Sequence, residues 1–229
     1  TIGRVAAGAI AEKFLKQLNI SVTAYAKSIG PVEVSPERMD LAEIQNNRFC
    51  LPDVEAAKAA EDYLDQKIAE CDSVGGVVEC VISGLPVGLG EPVFEKLDAN
   101  LAKAILSIGA VKGFEIGDGF AATKACGSDN NDKFRMDGDK IVKETNHAGG
   151  VLGGISDGSD VVFRAAFKPT PSIAKSQETV TKDGANIDLV IHGRHDPVVV
   201  PRAVVVVESM AAITAMDMLL VSMTSRLDL

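Results

Sequence analysis

The chain has 229 residues, 46% hydrophobic and 24% charged, enough for one large domain or two small ones and unlike a disordered or fibrous polymer. A net charge of −9, an aromatic share of 4% and no Trp exclude the basic faces and stacking platforms of nucleic-acid binders, although an anionic small molecule needs only a local cation. The four cysteines (Cys50, Cys71, Cys80, Cys126) and three histidines (His147, His192, His195) follow no zinc-like spacing, so the thiols read as reduced packing residues of a cytoplasmic protein and no metal is expected.

Residues 2–18 have helical spacing, with Val5, Ala9, Ile10, Phe14 and Leu18 on one side. The small residues of the first half allow close backbone approach and predict a central, buried helix. Residues 20–29 alternate loosely as a strand that Gly30-Pro31 ends, and 36–47 read as a short helix. Residues 53–71 are a helix, with Pro52 before it and Asp53 able to cap it. Gly75-Gly76 then breaks the chain ahead of a strand at 77–83 and a loop at 86–90. A further helix covers 91–108, with Phe94, Leu97, Leu101, Ile105 and Ile108 on one face. Residues 111–116 form a strand closed by Gly117-Asp118-Gly119, 121–139 are an exposed polar excursion, and Ile141-Val142 are a brief strand.

The stretch from His147 to Ser156 places four glycines within six residues, at 149, 150, 153 and 154. It ends in neither the Gly-Lys-Ser/Thr of a P-loop nor a G-x-G-x-x-G fingerprint, so the backbone approaches either a flat ligand or another segment. The strand at 160–167 runs into Lys168-Pro169-Thr170-Pro171-Ser172, whose cation and two hydroxyls suit a phosphate or ribityl chain; a surface turn is the commoner use of Pro-Thr-Pro. A β-like run at 186–191 leads to Gly193-Arg194-His195-Asp196-Pro197, and then to 203–221, a segment without Gly or Pro whose apolar residues recur at helical spacing. Arg194 and Asp196 thus stand at the mouth of a buried helix, where they can hold an anion and move a proton, or simply be solvated. No charge-free run is long enough to span a membrane, and no signal peptide is expected. Helices and strands alternate without a βαβ beat, which predicts an α+β fold.

Several long segments, in order, resemble the chorismate synthase family: Thr1-Ile2-Gly3-Arg4-Val5-Ala6-Ala7-Gly8-Ala9-Ile10-Ala11, Phe134-Arg135-Met136, the run from Thr145 to Ser156, the run from Phe163 to Ser172, and Gly193-Arg194-His195-Asp196-Pro197. Val198 and Val205 stand where the family often has Cys and Pro. The resemblance implies a helical core sandwiched between antiparallel β-sheets, with residues 1–229 a single domain forming the C-terminal portion of that fold. It also implies that the family's N-terminal third is absent, with its Gly-Glu-Ser-His-Gly motif, a second functional His, several arginines and an Arg-Ser-Ser segment.

In that family 5-enolpyruvylshikimate-3-phosphate loses phosphate by 1,4-anti elimination to give chorismate, with reduced FMN required and NADP also implied. Carried over residue by residue, Asp196 is the acid near flavin N5 and Arg194 touches flavin and substrate. Gly109, Ala110, Gly153, Lys168, Pro169, Thr170, Pro171, Ser172 and Arg194 line the FMN site, while His147 and His195 receive no chemistry. A cytoplasmic homotetramer acting on that small substrate follows, with no nucleic acid and no membrane. The alternative is a catalytically inactive flavin- or anion-binding fragment, or an oligomerisation module using the helix at 203–221.

Overall fold

The computed structural model describes residues 1–193 and 195–225. In chain order it contains α1 (Ile2–Gln17), β1 (Ser21–Ile29), β2 (Val32–Glu33), α2 (Val54–Ala69), β3 (Gly76–Ser83), α3 (Leu97–Leu106), β4 (Val111–Ile116) and a single-turn α4 (Gly127–Asn130). There follow β5 (Phe134–Asp137), β6 (Lys140–Lys143), β7 (Val151–Leu152), β8 (Ile155–Ser156), β9 (Val161–Phe167), β10 (Gln177–Val180), β11 (Asn186–Leu189) and α5 (Val200–Ser222). The fold is α+β, as expected. Five strands make one sheet in the order β2-β1-β3-β9-β4, and three antiparallel hairpins pair β5 with β6, β7 with β8 and β10 with β11. Sidedness follows the period of two: Val78, Cys80 and Ile82 of β3 and Val161, Phe163, Ala165 and Phe167 of β9 are buried.

The chain divides into two compact units: Thr1–Ala24, Glu79–Ala165 and Val204–Leu229 form the first, Tyr25–Val78 and Ala166–Ala203 the second. In the first unit α1, α3 and α5 pack together. A Cβ added to Gly8 of α1 would lie 2.3 Å from Ser209 Cβ of α5, so the small residues do serve close approach. The buried stripe differs from the expected one. It is Gly8, Ala11 and Leu15, whereas Ile10, Phe14 and Leu18 face outward, because the contact with Ser209 turns the Gly8 side inward. Asn100 of α3 reaches Met218 of α5, and Glu208 of α5 accepts the Ala24 amide at 2.8 Å.

Helix α5 buries Val200, Ala203, Val204, Val207, Ala211, Ala215 and Met218, together with Ser209 and Thr214. Within its 23 residues the most apolar 18-residue window has a mean hydropathy of 2.0, the length and composition of a membrane span despite the charges at Glu208 and Asp217, and half of that window is buried inside the chain.

The second unit is organised by capping carboxylates and amides. Asp53 caps α2 through the Glu55 and Ala56 amides and also holds Arg38 at 2.9 Å. Burial by itself would raise this carboxyl, but the Arg38 guanidinium and the backbone donors outweigh it and keep it below the ordinary value. Asn47 bonds the carbonyls of Glu43 and Leu51 and the amides of Phe49 and Leu51. With these side chains fixing the loop, residues 36–47 form two 3₁₀ turns, Pro36–Arg38 and Leu41–Gln45, in place of the expected helix.

Two further boundaries moved. The helix expected from residue 91 starts only at Leu97, because Gly90 and Val93 hold φ of 126° and 63° and Pro92 lies between them. The excursion at 121–139 is mostly exposed, yet it carries strand β5 and delivers Asp132 to a buried position.

Candidate active site

In the second unit the segment from Ser73 to Gly76 holds two loops in place. On one side, the Ser73 hydroxyl donates to the Thr170 carbonyl at 2.7 Å. A Cβ on Gly75 would lie 2.3 Å from the Phe167 carbonyl oxygen and 3.2 Å from Pro169 Cδ. On the other, the Val74 amide donates to the Pro197 carbonyl at 2.8 Å, and Val74 pairs in parallel with Val198. Gly76 lies equally close to the Ser28 carbonyl, at 2.2 Å for an added Cβ. The Lys168–Ser172 loop and the loop carrying Asp196 are therefore set by one backbone ribbon in which two glycines permit contacts that no side chain could. Gly75-Gly76 reads in the sequence as a break only; its clamping role depends on what lies alongside.

Asp196 accepts from Arg202 at 2.7 Å through Oδ2, and the His195 ring nitrogen Nε2 is 3.1 Å from the Ile191 carbonyl. Oδ1 of Asp196 has no hydrogen-bond partner among the described residues, so one oxygen of a half-buried carboxylate is left to accept a proton or a donor. Asp196, His195, Ser73 and Asp72 line a cavity of about 200 Å³. Asp72 is paired with Lys175 at 2.6 Å, and that contact, with the Ser73 amide, lowers its carboxyl from the ordinary value. Arg194, expected beside Asp196, lies outside the described residues.

The donor set on the Lys168–Ser172 loop fits an anionic tail. Lys168 Nζ touches only the Pro169 carbonyl at 3.3 Å and has no acidic partner among the described residues. The hydroxyls of Thr170 and Ser172 are also without a partner among them, and both prolines stiffen the loop.

Gly109, Ala110 and Gly153 belong to the first unit. Gly153 lies in the turn between β7 and β8, and its neighbour Gly154 gives its carbonyl to the Leu97 amide at the start of α3. Gly109 and Ala110 follow the end of the same helix, so these residues stand at opposite ends of ten residues of helix, roughly 15 Å at 1.5 Å per residue. An added Cβ on Gly109 or Gly153 meets nothing within 4 Å, which leaves both backbones open to an approaching ligand.

A buried polar network in the first unit was not legible in the sequence. Lys143, 2% exposed, bonds Asp132, Asn146 and Asp157 at 3.2, 3.2 and 2.7 Å. Asp132, also 2% exposed, further accepts the Thr145 hydroxyl and the amides of His147 and Ala148. Burial would raise its carboxyl, but these donors hold it well below the ordinary range. His147 Nδ1 lies 3.0 Å from Asp132 Oδ1 but out of line for a hydrogen bond, and it has no other partner. This network fixes the Thr145–Ala148 segment ahead of the glycine-rich hairpin.

The second unit thus presents a stiff loop of cation and hydroxyls and a carboxylate with one open oxygen, and the first unit carries glycines that leave backbone bare. Comparison with known proteins gives the chain a family. The family model for chorismate synthase matches residues 1–220. The chain is 60% identical over 229 residues to the chorismate synthase of Lachnoclostridium phytofermentans, and 62% identical over 228 residues to that of Agathobacter rectalis. Each alignment covers 100% of this chain and 62% of the relative. A solved structure titled as chorismate synthase superposes with a TM-score of 0.81 at 30% identity, covering 97% of this chain and 63% of the other. The chain belongs to the chorismate synthase family, and it spans about 62% of the length of the curated relatives it matches.

Proposed function

We propose that the protein is a chorismate synthase, a carbon–oxygen lyase that eliminates phosphate from 5-enolpyruvylshikimate-3-phosphate to give chorismate, with reduced FMN as cofactor. The observation that carries this is identity of 60% along the entire chain to a curated enzyme of that name. When bound, reduced FMN supplies electron density to the substrate as phosphate leaves. Lys168, Thr170 and Ser172 would hold its anionic tail, since their donors have no competing acidic partner among the described residues. The resemblance also assigns Gly109, Ala110 and Gly153 of the first unit to the flavin. Asp196 would take the proton at flavin N5 through Oδ1, with Arg202 holding the other oxygen.

Arg194 would contact flavin and substrate from the same loop. We read the enzyme as a cytoplasmic homotetramer. The test is anaerobic turnover of 5-enolpyruvylshikimate-3-phosphate by the protein as its gene encodes it, with reduced FMN, reading chorismate and phosphate together. Saturable FMN binding with no release of either product would overturn the assignment.

A further inference from the structure

The first unit contains an open cavity of about 810 Å³ between α3, the end of β4 and the His147 segment, a volume suited to a small organic ligand. None of the residues assigned above to FMN lines it. Its walls are mainly apolar, with Phe114, Phe120 and Val151 facing small floor residues such as Ala99 and Ala102. Phe114 is stacked on Phe163 at 5.3 Å and is thereby fixed, while Phe120 is 77% exposed at the rim.

Its charges are unequally committed. Glu115 is 3.3 Å from Arg164 and accepts the Phe120 amide, and the Asp98 carboxylate accepts the Ala99 amide at 2.9 Å. Lys96, by contrast, has no ion-pair partner among the described residues, and its stem is laid against Gly154, 2.3 Å from the position of an added Cβ. A second observation points to the same place. Among the described residues only two buried side-chain polar atoms lack a hydrogen-bond partner, Asn130 Oδ1 and His147 Nδ1, and both residues line this cavity. Buried polar atoms are normally satisfied, so a pair of orphans around one cavity marks side chains that gain a partner when they move to meet a ligand.

We propose that this cavity binds a flat, mainly apolar ring carrying one anionic group, with the ring over Ala99 and Ala102, the anion at Lys96, and the His147 ring and the Nδ2 amide of Asn130 turning to donate to it. The probe is 2-naphthoate, with 2-naphthalenemethanol as its uncharged counterpart, each titrated into the full chain by ligand-observed NMR. Naphthoate is expected to bind saturably with a Kd on the order of 1 mM or tighter. Lys96→Met should weaken naphthoate about tenfold and leave the alcohol nearly unchanged. Ala102→Leu, which fills the floor with a good helix former, should weaken both. Lys168→Met should change neither. No saturable binding, binding indifferent to Ala102→Leu, or binding lost in Lys168→Met would each overturn the proposal, the last by placing the probe on the loop assigned to FMN.

Discussion

Gly75→Ala tests whether the ribbon from Ser73 to Gly76 sets the two loops of the second unit. The new methyl would stand 2.3 Å from the Phe167 carbonyl oxygen, and contacts below 3.0 Å are essentially never realised. The strand end must therefore retreat by roughly 0.7 Å or the ribbon must tilt away, in a region packed at crystal-like density. Overpacking of this kind destabilises by about 1–3 kcal/mol. The same displacement pushes on Pro169, 3.2 Å from the methyl, and so moves the loop that carries Lys168 and Thr170. Urea unfolding should show the stability loss, and titration of reduced FMN should show weakened affinity.

Gly109→Ala is the matched control. It meets nothing within 4 Å and its φ is ordinary, so stability should hold or rise by about 0.4–1 kcal/mol, while affinity falls if the flavin lies on that backbone. Wild-type stability and wild-type FMN affinity in Gly75→Ala would refute the ribbon argument.

Lys143→Met leaves Asp132 and Asp157 buried without their cation and should cost about 3–5 kcal/mol in chemical denaturation; a loss under 1 kcal/mol would show that water reaches the network. Because the folded state depresses Asp132, its contribution is complete above the unfolded carboxyl value of 3.8 and is lost as pH falls below it, so Asp132→Asn should lower Tm at neutral pH and flatten its acid dependence. Burial raises Glu208 instead, so the folded state favours its protonated form and stability declines as pH rises above 4.5 through the raised value. Glu208→Gln keeps an acceptor for the Ala24 amide and should match or exceed wild-type Tm at pH 8, which differential scanning calorimetry would check. Asp196→Ala should slow turnover by roughly a hundredfold or more with FMN affinity nearly intact, since Arg202, 65% exposed, loses little with its partner; normal turnover would reduce Asp196 to a loop residue.

Where local chemistry decides, the sequence was readable. Pro52 and Asp53 placed the start of α2, alternation placed β3 and β9, and the absence of Gly and Pro placed α5. The errors arose where a partner distant in the chain decides. The face of α1 was misassigned because bulk marked Ile10, Phe14 and Leu18 as core, whereas the close approach of Ser209 chose the Gly8 side. The start of α3 was misplaced by apolar residues that continue past a backbone break at Val93. Asp132 looked like one polar residue among many, since nothing nearby announces that Lys143, Thr145 and two amides converge on it. Of the candidate site, the Lys168–Ser172 loop and Asp196 could be named from residues alone. The ribbon that fixes them could not, because a glycine doublet does not say what it lies against.

Helix α5 has a bearing on synthesis as well as on stability. As it leaves the ribosome, before α1 and α3 can cover it, it offers an insertion machinery an 18-residue window of span-like hydropathy within its 23 residues. Glu208, the ninth residue of that helix, and Asp217, the eighteenth, oppose that fate, since an acidic side chain near the centre of a span adds on the order of 2.5–3.5 kcal/mol to its transfer into lipid. The residue whose charged form is disfavoured by burial in the folded core is therefore also one that disfavours transfer of the segment into lipid. Replacing Glu208 with Gln, expected to match or exceed the wild-type melting temperature at pH 8, would at the same time remove one of the two acidic residues that oppose insertion.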